Sequence, residues 1–215
     1  MKKIFLILAI LLFVPINGLC ADVIPQNVSL ENTNTFGLYQ APNKLTFYKE
    51  PTEQSYIIHS ISFDGKNLFP PEIEADNLFV VFIPSKNLGL LAVCDETEDW
   101  IQVIYDNSTG AKGWLKKDDD PYRFMTWVMF YNMYGRKYGL KMLKQIPDSV
   151  KDLHSSTDDK SQVVGTINMP QKINLNVIRG NWALVSVYDL DRVPKTGYIR
   201  WRSDNGVKYY FPDIK

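Results

Sequence analysis

The stretch WIQVIYDNSTGAKGWLK, Trp100 to Lys116, is written a second time in altered letters as WALVSVYDLDRVPKTGYIRW, Trp182 to Trp201. Each copy opens on Trp and runs on with apolar residues at alternate positions. It then breaks at a polar turn and returns through Gly followed by an aromatic, an aliphatic and a basic residue. A period of two marks a strand with one buried face, and a polar turn between two such runs marks a hairpin. A 215-residue chain that is 45% hydrophobic can bury one sizeable core or two small ones, and the repeat favours two.

The start of the chain specifies where the protein goes. Met1-Lys2-Lys3, the apolar run Ile4 to Val14 and a polar break around Pro15 and Asn17 form a secretory signal peptide, with cleavage expected after Ala21. The apolar run is too short to span a bilayer, which takes roughly 18 to 20 residues, so no transmembrane segment is expected after the signal is removed. The protein is read as exported, periplasmic or extracellular. Cys20 offers lipoprotein anchoring as an alternative, which the bulky Leu19 before it disfavours. Once residues 1–21 leave, Cys94 is the only cysteine, so packing rather than an intramolecular disulfide must hold the fold. Removal of Lys2 and Lys3 leaves 22 basic against 24 acidic residues, without the Lys and Arg clusters that nucleic acid requires.

Residues 22–35 read as a polar lead-in and residues 36–120 as the first β module. Within it, Leu78 to Ile83 and Leu88 to Cys94 have strand length, Ile101, Val103 and Tyr105 form an inward face, and residues 64–76 have the Gly, Pro and acidic content of a surface loop. Asp120-Pro121 is a helix start, since Asp caps free backbone N–H groups and Pro tolerates the first helical position. Phe124, Trp127, Val128, Tyr131, Tyr134 and Tyr138 then recur at helical spacing, so residues 121–146 are expected to be a helical connector running from Pro121 to about Leu143. Residues 147–215 form the second module and its tail. Aligning Tyr48 with Leu153 puts 52 positions before the first Trp against 29 before the second, an insertion of about 23 residues in the first module.

These residues resemble the bacterial SH3-like (SH3b) domain, a small β-barrel of exported and cell-envelope proteins. The matching residues are Ser155-Ser156-Thr157, Val163 to Ile167, Asn181-Trp182, Val185 and Gly197-Tyr198-Ile199 in the second module, and Glu50-Pro51-Thr52, Asp99-Trp100, Val103 and Gly113-Trp114-Leu115 in the first. The resemblance implies a mainly β fold with two small SH3-like β-barrels joined by an α-helical connector. It also implies a module that binds cell-wall peptidoglycan or an envelope protein or peptide. The insertion falls where the family's ligand-contacting loop would lie.

Catalysis and metal binding find little support. Cys94 ends an apolar strand rather than starting a helix, the usual setting of a thiolate nucleophile, and its only candidate partners are His59 and His154. There is no HxxxH or CxxC spacing for a metal, and the acid clusters at 96–99, 118–120 and 158–159 lack a calcium-loop pattern. No catalytic set, metal site or cofactor is therefore expected. The aromatic residues are the functional lead: Trp100, Trp114, Trp182, Tyr188, Tyr198 and Trp201 could stack on sugar rings or prolines, although a small barrel needs just such residues to fill its core. The leading expectation is a non-catalytic, exported binder; the alternative is a structural or assembly factor that docks a partner through the aromatic connector helix.

Overall fold

The repeated hairpins seed two antiparallel sheets in the computed structural model, which describes residues 21–30, 33–64, 67–168, 171–188 and 193–214. The segment expected to be a signal peptide, apart from Ala21, lies outside the described residues. The first sheet is built from β1 (Gly37–Gln40), β2 (Lys44–Tyr48), β3 (Ile57–Phe63), β4 (Leu68–Phe69), β5 (Val81–Ile83), β6 (Leu88–Glu96), β7 (Trp100–Asp106), β8 (Ala111–Lys116) and β9 (Phe124–Thr126). The second is built from β10 (Leu140–Met142), β11 (Asp152–His154), β12 (Val163–Thr166), β13 (Lys172–Arg179), β14 (Trp182–Tyr188), β15 (Pro194–Arg200) and β16 (Tyr210–Pro212). Short helices α1 (Ala75–Leu78), α2 (Trp127–Phe130) and α3 (Arg136–Tyr138) complete the structure.

Strand order shows how deep the duplication goes. The first sheet runs β4-β3-β2-β8-β7-β6-β1-β9, with β5 also on β6, and the second runs β12-β11-β15-β14-β13-β10-β16. Without β4 and β5 the two orders coincide strand for strand. Register coincides as well. Trp100 pairs with Lys116 as Trp182 pairs with Arg200, Val103 with Gly113 as Val185 with Gly197, and Tyr48 with Trp114 as His154 with Tyr198. The pairing matches Tyr48 to His154, one residue on from the alignment with Leu153. It follows that Phe47, Ile61, Ile101, Val103 and Leu115 of one unit correspond to Leu153, Ile167, Ala183, Val185 and Ile199 of the other, and all ten are buried.

The expectation of closed barrels is corrected. Among the described residues neither sheet pairs its first strand with its last. β9 and β16 bond to β1 and β10 and so lengthen each sheet at the edge that closure would need. The fold is mainly β, in two open antiparallel sheets.

The strand expected over Leu78 to Ile83 forms as β5, and the inserted segment is a loop only in part. It contributes β4, α1 and β5, and Leu78, Phe79 and Phe82 are buried with Phe63 beside the interior of the first sheet. Phe79 and Phe82 stack with centroids 4.8 Å apart. Proline, glycine and acidic residues dominate only its first half, whereas residues 78–83 are apolar and supply core. The inward face of β7 is shifted in the same way: Ile101 and Val103 are buried as expected, but a register shift between Ile104 and Asp106 buries Ile104 and leaves Tyr105 half-buried.

The connector departs most from expectation. Asp120 caps Tyr122 N–H at 3.0 Å and Pro121 follows, yet only a short 3₁₀ turn forms before the chain becomes β9. Regular helix occupies 127–138 alone, as α2, a π-helical turn Tyr131–Gly135 and α3. Thr126 caps its start through Met129 N–H, and Gly139, at φ 82°, ends it where a side chain would strike the Ile173 carbonyl. The flanking apolar residues satisfy a strand better than a helix because β1 and β13 offer open edges beside them. Trp127, Phe130 and Tyr131 then lie in one continuous cluster with Leu38, Leu90 and Ala92 of the first sheet and Leu140, Trp201 and Phe211 of the second.

Two measurements follow. Trp127→Ala is expected to cost about 3 to 5 kcal/mol in urea unfolding, the range for deleting a buried aromatic side chain. The β7–β8 turn supplies a pH test, because Ser108 and Thr109 donate to the Asp106 carboxylate at 2.9 and 2.8 Å and hold its pKa down to about 2. A lowered carboxylate pKa stabilises the fold above the ordinary value near 3.8 and loses that contribution as pH falls toward 2. Amide exchange at Ser108 and Thr109 should accelerate over that interval in the wild type and be fast throughout in Asp106→Ala.

Candidate functional site

The duplicated register places a matching cluster at one end of each sheet. In the second unit His154, at the end of β11, meets Trp182 edge-on with centroids 5.3 Å apart, and Arg200 lies over the Trp182 ring at 5.1 Å. Tyr48 meets Trp100 in the first unit with the same separation, at an interplanar angle of 88°. From each of these strand ends the chain makes a similar loop. Lys49 N–H bonds the Tyr56 carbonyl at 3.0 Å and Ser155 N–H bonds the Gln162 carbonyl at 2.9 Å, while Ser55 and Ser161 hydroxyls accept from Glu50 and Ser156 N–H.

An ion pair fastens each loop to the returning strand. Lys116 pairs with Glu53, and Arg200 pairs with Asp159 through two contacts at 2.7 and 3.2 Å. Glu53 stands five residues after Tyr48 and Asp159 five after His154, so the acid, the aromatic pair and the base recur as a set. Arg200 also reaches Asp204 at 3.0 Å. Gly113 and Gly197 allow this approach of β8 to β2 and of β15 to β11: an added Cβ would come within 3.2 Å of Phe47 in one unit and 3.1 Å of Leu153 in the other.

Beside each cluster lies a cleft, and here the units diverge. The first, about 440 Å³, is rimmed by Glu96, Glu98, Asp99 and Asp118 to Asp120, with Lys116 and Lys117 among them and Tyr39 and Phe124 lining it. The second, about 480 Å³, lies at the corresponding place, with Asn181 for Asp99, Arg202 for Asp118, Ser203 for Asp119 and Asp204 for Asp120. One cleft is strongly acidic and the other is built of amides, hydroxyls and an ion-paired set.

Within the acidic cleft Lys117 pairs with Glu96 at 2.9 Å, Arg123 with Asp118, and Asp120 caps Tyr122. Among the described residues no ion pair engages Glu98, Asp99 or Asp119. The Tyr39 residue is only 3% exposed and its hydroxyl has no hydrogen-bond partner. Burial, and then the Asp118 charge, push the Tyr39 pKa up, while the Asp118 amide approaches without completing a hydrogen bond. A buried phenol left unsatisfied costs about 1 to 3 kcal/mol.

The six aromatic residues expected as a binding surface separate in the structure. Trp201 is wholly buried, its ring centroid 4.2 Å from that of Tyr131, and its indole N–H donates to the Gly180 carbonyl at 3.0 Å. Trp201 stands where the first unit has Lys117. Trp100, Trp114 and Trp182 are 7 to 8% exposed and serve mainly as packing within the clusters, whereas Tyr188 is 36% exposed and Tyr198 is half-buried under Arg179. Trp127 and Tyr131, the centre of the helix's aromatic stripe, face the core, and the exposed apolar residues of the helix are Val128, Met129 and Met133.

The acid and base of each cluster escaped the sequence reading, although a signal for them existed in the equal five-residue spacing from strand end to carboxylate. Cys94 is half-buried in β6 and burial raises its pKa, opposite to what a thiolate nucleophile needs. His59 and His154 are engaged edge-on with Tyr105 and Trp182. Among the described residues no group of His, Cys, Asp and Glu is placed to hold a metal, and no helix is long and apolar enough to cross a membrane. No protein-family model and no curated protein matches the chain.

Arg200→Ala should free the second loop alone. Amide exchange at Ser155 and Ser161 is expected to accelerate while Lys49 and Ser55 keep their protection; equal acceleration in both loops would contradict independent fastening of the two.

Proposed function

We propose that the protein is an exported, non-catalytic binder built from two SH3-like modules, and that it recognises cell-wall peptidoglycan or an envelope protein or peptide. One observation carries this reading: the same strand order, register and loop-fastening cluster occur twice, which is the pattern of a duplicated binding module. The order within each unit supports the SH3-like assignment, because a three-strand meander (β6-β7-β8 or β13-β14-β15) returns onto the strand that opens the long hairpin loop. The fastened loop and the cleft beside it form the recognition surface, with Tyr188 and Tyr198 the accessible aromatics of the second module. The N-terminal stretch read as a secretory signal supports a location outside the cytoplasm.

Incubation of micromolar purified protein with purified sacculi, followed by sedimentation, tests the proposal. Depletion from the supernatant, with no soluble muropeptide released, is the expected result. Release of muropeptides would overturn the non-catalytic assignment, and full recovery in the supernatant would exclude wall binding and leave the envelope protein or peptide as the ligand class.

A further inference from the structure

We infer that the acidic cleft of the first module is a binding site for a primary ammonium group presented by a peptide, such as a lysine side chain, and that the second module lacks this specificity. The fold does not require the acidity. At corresponding positions the second unit has Asn181, Arg202 and Ser203 where the first has Asp99, Asp118 and Asp119, with strand order and register unchanged. Six carboxylates around a cleft of about 440 Å³ repel one another, and the local bases offset them only in part: Lys117 and Arg123 pair with Glu96 and Asp118, while Lys116 pairs with Glu53 and acts on Asp99 only through its charge. Glu98, Asp99 and Asp119 remain without an ion pair among the described residues.

The Tyr39 hydroxyl is the second and independent feature. It belongs to a residue nine-tenths buried, lies among Asp118 and Asp120, and has no hydrogen-bond partner. An ammonium carries three donors and no acceptor, so it suits carboxylates at the rim and a phenol oxygen below them. Phe124 adds an aromatic lining that favours an organic cation over a hydrated one. A metal ion fits less well, because the carboxylates are spread around the cleft and, among the described residues, none of the acidic groups is gathered as a ligand set. The inference does not depend on wall binding.

The test titrates the full-length protein with the tripeptide acetyl-Gly-Lys-Gly-amide, and separately with acetyl-Gly-Gln-Gly-amide, while backbone amide resonances are followed. The lysine peptide is expected to shift residues 96–99 and 118–120 saturably, the glutamine peptide to leave them in place, and residues 202–206 to respond to neither. Added salt should weaken the binding, since the rim is exposed. Glu98→Gln combined with Asp119→Asn should reduce affinity about fivefold, as removal of two exposed charge partners does. Tyr39→Phe, with its circular dichroism unchanged, should reduce affinity by a similar factor of about five through loss of one neutral hydrogen bond. Equal shifts with both peptides, an undiminished affinity in the double variant, or displacement of the lysine peptide by micromolar calcium would each overturn the inference.

Discussion

Between the two sheets, the Tyr131 hydroxyl donates to the Tyr210 carbonyl at 2.5 Å while its ring lies against Trp201. Trp127, one helical turn earlier, donates its indole N–H to the Thr35 carbonyl at 3.0 Å and has the buried Lys208 ammonium 4.2 Å from its ring centre. These two side chains tie the lead-in, both sheets and the tail into one core. Leu38, Leu90 and Ala92 lie outside the first unit's own hydrophobic cluster and are buried in the core that Trp127 and Tyr131 share with the second sheet. The burial of large aromatic area at this junction is the dominant favourable term joining the halves.

That junction explains why a duplicated unit can diverge. With the packing between units carried by the helix and by β9, β10 and β16, the opposite end of each sheet is left to its loops. There the acid–base fastening and the edge-on aromatic pair were kept in both copies, Lys116 with Glu53 and Arg200 with Asp159, while the adjoining clefts took different charge. Trp201 against Lys117 marks the same division, since a core residue in one unit occupies the position of an ion-paired surface residue in the other.

Strand identity was legible because alternation in Trp100 to Lys116 and Trp182 to Trp201 reports a one-sided burial directly. The connector was misjudged for a physical reason. Phe124 shares the helical spacing of Trp127, Tyr131 and Tyr138, which do form helix, but an apolar residue beside an open sheet edge gains backbone hydrogen bonds as a strand, and periodicity does not contain that long-range option. In the insertion, Pro70 and Pro71 marked the loop and the apolar run Leu78 to Ile83 the strand, but neither revealed α1 between them or the stacking of Phe79 on Phe82 in the first core. Of the site, the Gly-aromatic-aliphatic-basic return contains Lys116 and Arg200 without marking them as ion-pair bases, and Tyr39 gave no signal at all: its hydroxyl stands out through a missing hydrogen-bond partner, which only three-dimensional packing defines.

Two sheets of matching strand order and register share one core through the helix 127–138, and the rest of the structure depends on that core. Native-state hydrogen exchange under increasing urea measures this directly, by comparing the opening free energies of Val103 and Leu115 in the first sheet with those of Val185 and Ile199 in the second and of Tyr131 between them. Convergence of all five on a single global unfolding value is the expected result. Loss of protection in one sheet while the other and the helix stay closed would contradict it.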